Sequence, residues 1–416
     1  MKASFKLLRD MLFRRGQRRG RVLFVGQSYY NGWYLSRELR KLGWVADLVD
    51  FDNDPRNAMF YHGRDFTFVD RSVFGVIDQM LFYPLALFRY EIFFFANTDC
   101  LKFGNVVSRV LGIFGKGADV RLLKLFGRKI FYGNNGCLDG VSQSAFGLWG
   151  PYKVCDSCPL QHRADVCSDE RNLAWGRLRN SLADYQCLLG GNRADFNVDP
   201  RVHESPWFYC LDRHFWTPDL LVPSNYRLPY ARTTVKLYHA VGNFEARSHG
   251  AGKIETIKST HIYLPLVERL RTEGYDVEMI FFKDVPNQKI RYYQAQADVV
   301  LEMLTYGWFG ANAREAMMLG KPVVCFLRPE WLESMRHELP EYVDELPIVN
   351  ATPETIDAVL RDLLDNPAKR IEIGRRSREF AEKWHASDRA AVHFDRVFNE
   401  ILGRPVLAAG SPAAGR

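Results

Sequence analysis

The stretch Tyr306 to Val324, YGWFGANAREAMMLGKPVV, decides the reading of this chain. A glycine-bearing loop runs straight into a helix-forming segment that carries Glu315. Gly320-Lys321-Pro322 then ends the helix and launches the apolar run Val323 to Phe326. The first amides of a helix have no backbone partner and the macrodipole is positive there, so Gly310, Ala311 and Asn312 offer an anion site. Glu315, one turn further in, is placed to accept hydrogen bonds from hydroxyl groups. A phosphorylated sugar compound suits both features.

The same strand–loop–helix grammar extends in both directions. Arg21 to Gly26 reads as a buried strand, Gln27 to Gly32 as its loop, and Leu35, Leu39 and Leu42 mark a helix before the strand Val45 to Phe51. Ile92 to Ala96 and Lys129 to Tyr132 read as further strands, with helices over Val106–Phe114 and Val120–Phe126 between them. A second set begins with the strand Val235 to Ala240. The helix His261–Glu273 follows, with Pro265 in or near its first turn, and then the strands Val277–Phe282 and Val299–Leu301. Thr352-Pro353 and Asn366-Pro367 are helix starts, the latter running past a break near His385 to Leu402. Continuous apolar strands are those of parallel sheets buried on both faces. The expected fold class is therefore α/β, with two Rossmann-like doubly wound domains facing across a cleft. The expected boundaries are a basic segment 1–20, an N-terminal domain 21–225 with a Cys-rich, loop-rich insertion at 137–195, a C-terminal domain 226–402 and a disordered tail 403–416.

The opening segment resembles the glycosyltransferases of the GT-B fold, in particular the retaining class called glycosyltransferase family 4, or group 1. Its motif commonly reads EGFGLPxLEAMACGxPV, where this chain has GWFGANAREAMMLGKPV. Glu315 matches the second glutamate of that signature, and the first falls on Gly307. More weakly, the resemblance runs from about Arg21 to Leu402. It implies a nucleotide-diphosphate-sugar donor and transfer with retention to a lipid-linked or polysaccharide acceptor, in cell-envelope or surface glycan synthesis. In that class an arginine and a lysine after the first C-domain strand stabilise the departing diphosphate. Here they map onto Arg247 and Lys258, with Lys253 as a rival. By the same resemblance Glu315 would hold the ribose, and Glu302 would contact the sugar in place of the missing glutamate. Phe282 would line the base pocket, and Gly26 and Gly32 would let the first loop approach the ligand. The resemblance implies no metal for catalysis and assigns no catalytic base. An epimerase of the same fold and a non-catalytic sugar-nucleotide-binding scaffold are the alternatives.

Composition bounds these readings. The chain has 416 residues, 47% hydrophobic and 25% charged, as in a globular protein with room for two domains. Much of its net charge of +7 lies in the first 21 residues, where eight Lys and Arg stand against Asp10. Phe5, Leu8, Met11 and Leu12 can share a helical face there, which suits either an anionic membrane surface or a solvated tail. Met80 to Ala96 is too interrupted by Pro84, Arg89 and Glu91 to span a bilayer and reads as a buried helix and strand. The chain is thus expected to be cytoplasmic, with peripheral contact at the inner membrane face and no nucleic-acid partner. Eight cysteines without a secretion signal argue for reduced thiols. Cys155-x-x-Cys158 has metal-ligand spacing, and Cys137 and Cys167, or His162, could complete a structural zinc site. Cys100, Cys187, Cys210 and Cys325 read as packed apolar groups.

Overall fold

The computed structural model describes residues 2–13, 19–27, 29–52, 54–68, 72–96, 101–134, 137, 139–161, 163–188, 193–242, 244–248 and 254–405, without the side chains of 13, 55, 157, 246 and 247. Among the described residues, twelve strands form two sheets. The first holds β1 (Arg21–Val25), β2 (Val45–Asp50), β3 (Phe66–Thr67), β4 (Ile92–Phe95), β5 (Lys129–Gly133), β6 (Tyr185–Leu188) and β7 (Val202–Glu204), in the order β3-β2-β1-β4-β5-β6-β7. The second holds β8 (Val235–Val241), β9 (Val277–Lys283), β10 (Val299–Leu301), β11 (Val323–Cys325) and β12 (Val349–Asn350), in the order β12-β11-β10-β8-β9. All pairs are parallel, for example Val22↔Ala46 and Val22↔Ile92 around β1.

The period of two along each strand sorts the first sheet's side chains into two cores. Val22, Phe24, Phe94 and Phe131 face one side with the helix Asn31–Lys41 and the last helix, Ser387–Ile401. Leu23, Val25, Phe93, Phe95 and Ile130 face the other, under the helices Lys2–Phe13, Val73–Arg89, Gly104–Leu111 and Ala118–Leu125. The last helix therefore packs on the N-terminal sheet. Phe394 lies 5.6 Å from Phe94, Phe398 lies 4.9 Å from Phe131, and Asp395 accepts from the Trp44 indole at 2.7 Å and from Arg19 at 2.8 Å.

Several elements differ from expectation. The strand from Val45 ends at Asp50, and the helix expected over 106–114 is an α-helix to Leu111 followed by a 3-10 turn, Gly112–Phe114. Pro265 lies in the second turn of its helix, Thr260–Thr272, where burial of Tyr263, Leu266, Val267 and Leu270 outweighs the lost hydrogen bond. The region 137–195 is not loop throughout, because the helix Asp169–Leu182 and β6 continue the first sheet. That helix buries Asn172, Arg179 and Asn180 beside Trp175 and Leu182, so it shows no apolar stripe in the sequence. Within the basic N-terminal segment, Lys2–Phe13 form a packed helix. Ala3 and Leu7 are buried, and the backbone N–H groups of Ala3 and Ser4 donate to the Asp78 carboxylate at 3.0 and 2.9 Å. Residues 406–416 of the expected tail lie outside the described residues.

Candidate functional site

Each sheet reverses its strand order at one point, between β1 and β4 in the first and between β8 and β10 in the second. Ligands of doubly wound sheets bind beyond the strand ends at such points. Here the loops after β1, β8 and β10 meet around a cavity of about 260 Å³ between the two sheets. Tyr29, Asn134 and Tyr209 line it from the first side, and Lys258, Phe282 and Gly310 to Asn312 from the second.

Lys258 follows β8 and Glu302 follows β10 directly, so neighbouring strands bring them together. The Lys258 ammonium lies 3.2 and 3.0 Å from the two Glu302 carboxylate oxygens, and Glu302 is 1% exposed. Burial pushes the Glu302 pKa up, but the Lys258 charge and hydrogen bonds outweigh it and hold the carboxyl below its usual range. The pair sits at the start of the helix Ala311–Met318. A Cβ on Gly310 would stand 3.1 Å from the Lys258 Nζ, so the glycine makes room for the ammonium beside the helix amides. His239, at the end of β8, is structural. Its ring nitrogens bond the Leu301 carbonyl at 3.0 Å and the Thr260 hydroxyl at 2.9 Å, and burial lowers its pKa to about 4.

Glu315 lines the cavity, yet its carboxylate is occupied. It accepts from the Tyr30 hydroxyl at 2.8 Å, Asn287 at 2.7 Å and Gln294 at 3.0 Å, and burial raises its pKa. Tyr30 belongs to the first sheet's side and Asn287 to the second's, so this glutamate ties the two halves together. His62, bonded to Asn287 at 2.7 Å, extends the tie. Gly26 and Gly32 do not line the cavity. Gly26 turns the chain at φ +79 after β1, and Gly32 lets its helix approach β2, since a Cβ would meet Leu48 at 3.0 Å. Arg247 ends the short helix Phe244–Arg247, its side chain outside the described residues, and Lys253 lies outside them altogether.

Gly307 has a physical reason to be glycine. Its φ is +84, and a Cβ would stand 2.6 Å from the Arg328 Cβ and 3.3 Å from the Trp149 indole nitrogen. Trp149, from the insertion, donates to the Tyr306 carbonyl at 2.6 Å and stacks under the Arg328 guanidinium at 3.2 Å. The insertion thus covers the loop where the resembled motif has its first glutamate. The described cysteines are all free thiols. Burial first, and then the neighbouring thiols, raise Cys155 to about 11, with Cys167 also raised. Among the described residues no three His, Cys, Asp or Glu side chains stand in a metal-holding arrangement. His162 and Cys100 lie outside the described residues.

No family model matches the chain, and no curated protein matches its sequence. Solved structures do match its fold. Sucrose-phosphate synthase from Thermosynechococcus elongatus superposes with a TM-score of 0.55 at 13% identity, over 92% of this chain and 99% of that one. Anabaena HepE in complex with UDP and glucose gives 0.53 at 12% identity, over 91% and 99%. A glycosyltransferase from Rickettsia africae ESF-5 gives 0.53 at 8% identity, over 92% and 99%. The chain has the GT-B fold. Within the GT-B frame, the lysine after β8 and the start of the helix Ala311–Met318 line the inter-sheet cleft, and Glu302 lies buried behind Lys258.

Sequence reasoning missed Tyr30, Asn287 and Gln294 as partners of Glu315, and Arg314 beside it. Tyr30 precedes Asn31 and Gly32 in the loop already singled out, whereas Asn287 and Gln294 carried no signal, since a polar helix residue reads as solvated until its neighbours are known.

Proposed function

We propose that the chain transfers a sugar from a nucleoside-diphosphate-sugar donor, with retention, to a lipid-linked or polysaccharide acceptor in surface-glycan synthesis. The observation that carries this reading is the buried Lys258–Glu302 pair held against a helix start in the cleft. As the glycosidic bond breaks, negative charge develops on the leaving diphosphate. Lys258, the amides of Gly310 to Asn312 and Arg247 supply positive field there. These residues account for the field without a divalent cation, so transfer is proposed to proceed in the presence of a chelator. Ionised Glu302 takes the place of the motif's first glutamate and faces the sugar. The ribose hydroxyls exchange with Tyr30 as donors to Glu315, so donor binding loosens one tie between the halves. Solved HepE complexes contain UDP and UDP-glucose, which makes uridine diphosphate sugars the first probes. A thermal-shift panel of nucleotides and nucleotide sugars tests the proposal: stabilisation by one diphosphate-sugar series is expected, and no response to any of them contradicts it.

We infer further that the first sheet's outer helices dock on an anionic bilayer. No described helix is long and apolar enough to cross a membrane. Yet of the 21 exposed large apolar side chains among the described residues, 14 lie on the stretches 2–13, 73–89 and 104–126, among them Phe5, Phe74, Phe88, Ile113 and Phe114. Patches of that kind are rare on monomers. The three acids in these stretches, Asp10, Asp78 and Asp119, are buried, while Lys2, Arg9, Lys102, Arg109, Lys116 and Arg121 are exposed. Apolar anchors with cations and no exposed acid match a negatively charged lipid surface. The full chain is expected to sediment with phosphatidylcholine vesicles containing phosphatidylglycerol, and Phe74→Ser with Ile113→Ser is expected to lower that binding by about tenfold or more. Absence of vesicle binding at low salt, with a dimer in solution, assigns the face to a second copy instead.

A structural zinc on Cys137, Cys155, Cys158 and Cys167 is also proposed, supported by the metal-ligand spacing of Cys155-x-x-Cys158 and requiring a rearrangement, since the described side chains do not form a metal-holding group. The purified protein is expected to carry one zinc per chain, lost in Cys155→Ser; metal-free wild type contradicts this.

A further inference from the structure

The helix Ala311–Met318 carries a second cation. Arg314 is 4% exposed and lines the cleft cavity. It stands about 6 Å of axial rise beyond Gly310, one turn deeper than the site of Lys258. Its guanidinium lies 5.1 Å from the centre of the Tyr209 ring and 5.9 Å from that of Trp308. Its Nη1 is buried and has no hydrogen-bond partner among the described residues, and no salt bridge joins it to an acid there. The adjacent carboxylate, Glu315, is already bonded to Tyr30, Asn287 and Gln294. The indole nitrogen of Trp308, also lining the cavity, is a second buried donor without a partner.

A guanidinium stays charged, and burying it unpaired is costly. Two unsatisfied donors on residues that line one cavity fit an acceptor that carries negative charge. The position also departs from the resembled motif, whose pattern has an apolar leucine where this chain has Arg314. Tyr209, the ring beneath it, comes from the first sheet's side of the cleft, so the anion would lie between the halves, away from the diphosphate.

We propose that Arg314 and Trp308 form an anion subsite for a carboxylate or phosphate carried by the sugar being transferred or by the acceptor. The inference deepens the glycosyl-transfer reading and makes one partner negatively charged. It also explains why a buried charge stands where an apolar residue would pack at lower cost.

Two ligand pairs separate the sources, each measured by calorimetry on the full chain. UDP-glucuronate against UDP-glucose reads a carboxylate on the donor sugar. Glucose 6-phosphate against glucose, with UDP present, reads a phosphate on the acceptor. In wild type the anionic member of one pair is expected to bind about tenfold or more tightly than the neutral one. Arg314→Leu is expected to abolish that preference, keep UDP affinity within about twofold, and leave the unliganded melting temperature unchanged or higher. Arg314→Gln is read in the same way if the leucine variant does not fold. Two results overturn the subsite: no preference in either pair, or a loss of UDP affinity in Arg314→Leu as large as that in Lys258→Ala. Neither touches the nucleotide-sugar panel, so glycosyl transfer stands or falls separately.

Discussion

Lys258→Ala is expected to lower donor turnover by about 10²- to 10³-fold, the usual loss when one preorganised donor to a developing anion is removed. The ammonium is 13% exposed at its side chain and paired to a carboxylate that is 1% exposed, so no bulk cation replaces it. Its removal also strands Glu302. In wild type Lys258 keeps the Glu302 pKa below its usual range, so that group's contribution to stability is present above the ordinary carboxylate pKa and lost as pH falls. Without Lys258, burial dominates and raises the pKa. The contribution then reverses sign, and the variant loses stability as pH rises through the carboxylate range. Turnover and thermal melts between pH 4 and pH 8 (about four units around the usual carboxylate range) check both parts. A variant with wild-type turnover removes Lys258 from the diphosphate site. A melt profile parallel to wild type removes the buried pair.

Arg179→Ala is expected to destabilise the fold by about 3–5 kcal/mol, the cost of stranding one partner of a buried ion pair. Arg179 is 1% exposed and donates to the Asp139 carbonyl at 2.9 Å, the Phe196 carbonyl at 3.2 Å and the Asn197 side chain at 2.9 Å. The Asp139 carboxylate lies 3.4 Å from the same guanidinium and accepts from the Trp175 indole at 2.5 Å. Gly140, at φ +76, admits the arginine where a Cβ would stand 2.7 Å from it. These contacts tie the two ends of the 137–195 region to each other. The same region supplies Trp149 to the loop at Tyr306, so donor affinity is expected to fall along with stability. Urea denaturation read with nucleotide binding measures both, and a loss below about 1 kcal/mol contradicts the role given to Arg179.

The fold was legible where burial is apolar and continuous. Val22 to Val25, Phe93 to Phe95 and Val299 to Leu301 spell strands because parallel sheets cover both faces, and the loop–helix–strand at 306–324 stands as read. The helix Asp169–Leu182 was not legible, since its buried face is Asn172, Arg179 and Asn180, whose partners come from distant segments. Within the site, the resemblance names Lys258, and Glu302 stands out as the nearest acid before Gly307. Their pairing was not legible, because it depends on β8 and β10 being neighbours. Glu315 was legible as a cleft residue, but not its bond to Tyr30, 285 positions away. Gly307 looked like a lost functional group in sequence. In the structure it is the residue that lets Trp149 and Arg328 close over the loop.

The central claim is sugar transfer at the Lys258–Glu302 site, and the most direct test is product analysis. The full chain is incubated with the diphosphate sugar that stabilises it and with membrane or polysaccharide acceptor, and the products are resolved by mass spectrometry and NMR. Free nucleoside diphosphate is expected together with the sugar joined to acceptor in the donor's anomeric configuration, both lost in Lys258→Ala. Release of free epimerised sugar, or an unchanged donor bound without turnover, contradicts it.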